Sequence, residues 1–204
     1  MSILDRFADK LKELRSWFER ENPPSYGIEH GFVPAVPMTE TAVRQVEEEF
    51  QISLPSEYRS FLLRFGNGKV GPGRFHPLKE GLSSKPHRPF PLTSPRLGFL
   101  SPTLFEEPED NGEWEELATE DGVLWICDYG CDMYGRLILN GPFQGKVWML
   151  APESDYYGPF GGWESLHDES AEEVEPTASP REYSFFEWYE SWLDGQLKFA
   201  RVAC

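Results

Sequence analysis

Cysteine is scarce in this chain of 204 residues, and that excludes a disulfide scaffold. Cys127, Cys131 and Cys204 are odd in number and fit a reducing compartment. Basic charge is also short. Lys and Arg number 19 against 35 Asp and Glu, a formal net charge of −16. Bare nucleic acid and anionic membranes both call for positive charge, so neither is an expected partner. A basic protein surface is electrostatically favoured instead. No apolar run approaches the ~18 residues of a membrane span. Asp5, Arg6, Asp9 and Lys10 stand where a signal peptide would carry its apolar core. A soluble cytoplasmic protein is expected.

Recognisable chemistry is lacking too. Gly66-Asn67-Gly68-Lys69 has the composition of a phosphate loop without its spacer or its Ser/Thr. Pro72 removes a backbone donor from Gly71-Pro72-Gly73. Cys127 and Cys131 are three residues apart in between, but a zinc site needs about four ligands. His30, His76, His87 and His167 are scattered along the chain. There is no Gly-x-Ser-x-Gly elbow and no His-Glu-x-x-His pair. Asp128 and Asp132, with Trp125, Trp148, Tyr156 and Tyr157 nearby, leave a carbohydrate-acting carboxylate pair as one alternative. Turn carboxylates beside core aromatics explain the same letters. The expectation is no enzyme, no cofactor and no metal.

What the chain does have is aromatic residues, 15% of the total, within a 39% hydrophobic composition that argues against global disorder. Leu4, Phe7, Leu11, Leu14 and Phe18 share one helical face, predicting an amphipathic helix over residues 2–21 that Ser2 can cap. Pro23-Pro24 breaks it. We therefore expect residues 1–22 to be separable from a single domain over 28–204 that folds without them.

Thr39–Phe65 reads as a helix pair. Val43, Val46 and Phe50 face inward on the first helix, and Tyr58, Phe61, Leu62 and Phe65 on the second, with Gly66 closing it. The proline-rich pieces 72–77 and 86–95 read as extended loop or edge strand. Val123–Cys127, Arg136–Asn140 and Lys146–Leu150 read as strands, the last two joined through Asn140–Gly145. A closing aromatic helix follows at 183–197, with Ser184 and Glu187 set as a capping box. The predicted core centres on Phe61, Leu62, Phe65, Trp125, Ile126, Leu137, Leu139, Val147, Trp148, Phe185, Trp188 and Trp192.

In this order the pieces resemble the SUKH superfamily, which includes fungal cell-wall synthesis regulators and many bacterial immunity proteins. Leu54-Pro55-Ser56-Glu57-Tyr58 through Phe61-Leu62, then Gly66-Asn67-Gly68, is similar to its "LP.dY..fL...NG" signature. Gly145-Lys146-Val147-Trp148 is similar to its "G.vW" strand. Ser184-Phe185 with Trp188, Trp192 and Leu193 resembles its "SF..W...WL" helix. The resemblance spans about Thr39–Leu197. It implies an α+β fold, with helices packed around a twisted, mainly antiparallel sheet. It also implies a non-catalytic protein-binding role: either immunity against a nuclease or deaminase toxin, or regulation as a scaffold for a host protein.

Charge patterning supplies the candidate partner-binding residues. Residues 106–121 hold nine acids and no base, and residues 153–175 hold eight acids and again no Lys or Arg. The stretch from Lys69 to Arg96 has six Lys/Arg against the single acid Glu80. Glu106, Glu107, Glu109, Asp110, Glu113, Glu115 and Glu116 are expected to meet a basic toxin cleft. Asp155, Tyr156, Tyr157 and Trp163 are expected to add aromatic anchors. A monomer and a homodimer both remain open.

Overall fold

Ser2 and Asp5 start the first helix by reciprocal capping. The Asp5 N–H donates to Ser2 Oγ at 3.2 Å and the Ser2 N–H to Asp5 Oδ2 at 3.1 Å. In the computed structural model, which describes residues 1–21, 23, 30–94, 96–97, 120–151, 156–161 and 181–202, this helix, α1, spans Ile3–Glu21. Helix α2 (Glu40–Phe50) begins at Thr39, whose side chain accepts the Ala42 N–H. Helix α3 (Ser56–Phe65) follows at once. It ends at Gly66, with φ +92° and ψ −169°, a conformation essentially reserved for glycine. A Cβ there would also strike the Val36 carbonyl oxygen. The last helix, α5 (Phe185–Val202), outruns its expected end at Leu197 by more than a turn.

One antiparallel six-stranded sheet carries these helices. Its strands are β1 (Arg74–Phe75), β2 (Arg96–Leu97), β3 (Val123–Gly130), β4 (Met133–Ile138), β5 (Val147–Ala151) and β6 (Tyr156–Pro159), in the order β1-β3-β4-β5-β6-β2. A four-residue helix, α4 (Leu78–Gly81), follows β1. Both edges are two-residue strands: β1 lies within the proline-rich piece 72–77, flanked by Pro72 and Pro77, and β2 directly follows the piece 86–95. Short proline-bounded edges blunt strand addition. Strands β3 and β4 meet through Cys131 (φ +50°) and Asp132 (φ +54°), two positive-φ residues in the sense of a type I′ hairpin.

The sheet is covered on both faces. The helical face holds Leu124, Ile126, Leu137, Leu139 and Val147 against Phe61, Leu62, Phe185, Trp188 and Tyr189. On the opposite face Val123, Ile138, Trp148, Leu150 and Tyr157 lie under Phe90, which the proline-rich strap brings across. Asn140 clasps that strap. Its Oδ1 accepts the Phe90 N–H at 2.7 Å, and its Nδ2 donates to the Arg88 carbonyl at 2.7 Å. Two-sided burial explains why β5 reads as a continuous apolar run rather than an alternating one. A register shift between Trp125 and Cys127 turns Cys127 toward the helical face beside Ile126.

The mixed α+β architecture expected from the sequence is present, and ten of the twelve expected core residues are buried. Trp125 and Trp192 are the other two. They are only partly buried and pack against the margins of the clusters. Helix α1 is not set apart from the rest. Phe7, Leu11, Leu14 and Trp17 belong to the same cluster as α3, α5 and the sheet. Phe7 packs on Tyr189 at 5.2 Å and edge-on to Phe186 at 5.6 Å.

Candidate functional site

The signature segments of the sequence converge on one place. Glu57, in the first turn of α3, accepts the Phe186 N–H through Oε2 at 2.8 Å. The Val147 N–H, at the start of β5, donates to the Tyr183 carbonyl at 3.0 Å. Ser184 and Glu187 close the α5 capping box, with the Ser184 N–H on Glu187 Oε2 at 2.8 Å and the Glu187 N–H on Ser184 Oγ at 3.4 Å. A small open cleft of about 320 Å³ lies among Leu54–Glu57, Gly145, Lys146 and Ser184. Glu57 and Ser184 there serve backbone capping, and Lys146 Nζ lies 3.8 Å from Glu182 Oε2. These residues join α3, β5 and α5.

The residues weighed for chemistry serve the sheet as well. Cys127 is fully buried, and burial pushes its thiol up to about 12. Cys131 is exposed at the hairpin tip. Asp128 accepts the Gly130 N–H through Oδ1 at 2.7 Å, and Asp132 accepts the Tyr134 hydroxyl at 3.1 Å. Both carboxylates therefore hold the β3–β4 hairpin in shape. Among the described residues no group of three or more His, Cys, Asp or Glu is placed to hold a metal ion. No described helix is long and apolar enough to cross a membrane.

These features match a known family over most of the chain. Residues 37–191 fit the SMI1 / KNR4 family (SUKH-1). The chain belongs to that family. Searches of curated proteins and of solved structures give no significant match. The family match starts after α1 and ends within α5, so α1 and the last turns of α5 are additions to the SUKH-1 segment. Membership points to a protein-binding domain of a kind that is generally non-catalytic.

Of the expected partner-binding residues, Glu106, Glu107, Glu109, Asp110, Glu113, Glu115, Glu116, Asp155 and Trp163 lie outside the described residues. Tyr156 and Tyr157 are described, and each is only 1% exposed. That corrects their expected place at the surface. The Tyr156 hydroxyl donates to the Pro159 carbonyl at 2.5 Å. Tyr157 packs edge-on to Trp148 at 5.5 Å and accepts from Arg136 Nη1 at 3.4 Å. As neighbours on a strand they point to opposite faces of a sheet that is covered on both sides.

Arg136 is the functional-looking residue that sequence reading passed over. It is fully buried in β4, with Cζ 3.8 Å from the centre of the Trp125 ring. Burial pushes its guanidinium pKa down. An Arg within an apolar strand was the available signal, since such residues are almost never buried without partners.

All 19 Lys and Arg lie among the described residues, whereas 16 of the 35 Asp and Glu lie outside them. The described frame is therefore formally neutral. The whole excess of −16 belongs to the other segments, and 15 of those 16 acids fall between residues 106 and 175.

Proposed function

We propose that this SUKH-1 protein is a cytoplasmic immunity protein that neutralises a nuclease- or deaminase-type toxin by direct binding. A toxin that acts on nucleic acid must gather phosphates, so its cleft carries positive charge. Two stretches of the sequence, 106–121 with nine acids and 153–175 with eight, carry no Lys or Arg and suit occupation of such a cleft. The supporting observation is this segregation of charge within a SUKH-1 chain. Glu106, Glu107, Glu109, Asp110, Glu113, Glu115 and Glu116 form the proposed charged contact, with Asp155 and Trp163 as the second segment's contribution. Charge of this kind speeds encounter, whereas aromatic contacts slow release.

The test begins with the gene neighbourhood: a toxin gene beside this one is expected, and its toxin domain is then co-expressed with this chain. Wild type is expected to restore growth and to form a complex whose association slows steeply with salt. The variant with Glu113, Glu115 and Glu116 changed to Gln is expected to associate more slowly. Salt-independent association, unchanged in that variant, would remove the first acidic segment from the interface. Absence of rescue, together with capture of a host protein from the native cell, would replace immunity by regulatory scaffolding.

A further inference from the structure

We infer that an open groove at the β1 edge of the sheet binds an acidic, aromatic-bearing peptide segment of a protein partner. This is a different surface, with the opposite charge preference, from the acidic segments above. The groove has a volume of about 680 Å³, and its walls include His30, Lys69, Arg74, Phe75, Asp128 and Tyr129.

Two cations define it. Most described Lys and Arg side chains are engaged: Arg6 and Lys10 with Glu190, Arg59 with Glu40 and Glu47, Lys79 with Glu49. Among the described residues, the side chains of Lys69 and Arg74 make no salt bridge or hydrogen bond. Both are exposed, and both face the same groove. Arg74 stands directly across from Asp128 in the β1–β3 pairing. Asp128 nevertheless directs Oδ1 to the Gly130 N–H, which leaves the guanidinium available. With His30 neutral, Lys69, Arg74 and Asp128 leave one net positive charge in the groove.

Lys69 is also held there at a conformational cost. Its φ is +80°, a region that L side chains rarely adopt. Its loop is pinned on both sides. Asn67 Oδ1 accepts the Leu78 N–H at 2.6 Å, and the Val70 carbonyl accepts the Tyr189 hydroxyl at 3.0 Å. At Gly73 (φ +54°) the loop lies so close to β3 that a Cβ would strike the Asp128 carbonyl oxygen. The cation is thus presented by a fixed backbone, which lowers the entropy cost of binding.

The aromatic lining selects among anions. Phe75 is buried in the main cluster with one side toward the groove, and Tyr129 stacks on Phe160 at 6.1 Å. Such a lining suits an aromatic or aliphatic side chain between two carboxylates. A nucleic acid is disfavoured because two cations beside Asp128 cannot neutralise a run of successive phosphates. A membrane surface is recognised by clusters of about four to eight basic residues, not two. Strand addition is blocked because β1 is two residues long between prolines.

The test is fluorescence anisotropy on the full chain, with a dye-labelled glutamate-rich peptide carrying one phenylalanine. Wild type is expected to bind saturably, and an NMR titration with the same peptide is expected to move the amide signals of Lys69, Phe75 and Gly130 most. The double variant Lys69→Gly, Arg74→Gln is expected to bind about tenfold or more weakly, since two charge-assisted contacts are lost. Lys69→Gly suits the positive φ, so its melting curve is expected to match or exceed that of wild type. The control variant Lys12→Gln, Lys198→Gln removes two cations from α1 and α5 and is expected to bind normally. Equal weakening in the control would overturn the proposal as non-specific attraction. Displacement by inorganic phosphate as effective as by unlabelled peptide would overturn the peptide assignment, and absence of binding by wild type would overturn it altogether.

Discussion

Glu57 caps a helix 129 residues away: its carboxylate accepts the Phe186 N–H at 2.8 Å in the first turn of α5. A negative charge at a helix N-terminus satisfies an otherwise free donor and complements the helix dipole. Glu57→Ala should therefore destabilise the protein by about 1–2 kcal/mol, the usual cost of a lost cap. Glu57→Gln, which can still accept a hydrogen bond, should lose less. Denaturant melts of the two variants check this. Equal stability of wild type and Glu57→Ala would show that the contact contributes nothing.

Phe7 sits in the same aromatic cluster as Tyr189 and Phe65, although it precedes the family segment by thirty residues. It is fully buried. Phe7→Ala should cost about 3–5 kcal/mol, as large-to-small core substitutions do. A chain that begins after α1 should melt at lower temperature and with lower cooperativity than the full protein. A truncated chain with an unchanged melting curve would show that α1 is separable, as the sequence leads one to expect.

The sequence made the helices legible because 3.6-residue periodicity and capping pairs such as Ser2–Asp5 and Ser184–Glu187 are local signals. It also showed which positions face inward, since Val43, Val46, Phe61 and Leu62 recur at helical spacing. It did not show depth. Trp192 lies on the apolar side of α5 yet at its margin, against His30 and Phe32. Strand β6 has four residues, too few for alternation to register, so Tyr156 and Tyr157 read as surface aromatics. The second layer depends on Phe90 reaching Asn140, fifty residues on, and no local pattern announces a strap. In the candidate site, the basic character of the Lys69–Arg96 stretch was visible. The pairing of Arg74 with Asp128 that opens the groove was not, because register between distant strands is a tertiary property.

Trp148 and Trp192 separate depth from face. Trp148 is fully buried among Phe90, Phe143 and Tyr157, whereas Trp192 is partly exposed. Trp148→Ala should cost about 3–5 kcal/mol, and Trp192→Ala distinctly less. Urea midpoints of both variants, compared at equal slope, give the answer. Equal losses would mean that Trp192 is as deeply embedded as Trp148.

Glu190 ties α5 to α1 and should write its signature into the pH dependence of stability. Oε1 accepts from Lys10 Nζ at 2.9 Å and from Arg6 Nε at 3.0 Å, and Oε2 accepts from Arg6 Nη2 at 2.9 Å. The Arg6 hydrogen bonds, reinforced by Lys10, outweigh burial and hold the carboxyl at about 2, below its ordinary 4.5. A carboxylate with a depressed folded pKa stabilises the protein above its unfolded pKa. That contribution is lost as protons bind at lower pH. The window is therefore between about 4.5 and about 2. Glu190→Gln removes the charge, so its melting temperature should fall below that of wild type near neutral pH. The gap should narrow as pH drops through this window and close near its lower end. High salt should shrink the gap at neutral pH, because the pairs are partly exposed. A gap of the same size at pH 7 and near pH 2 would show that glutamine disturbs packing and that the charge contributes nothing.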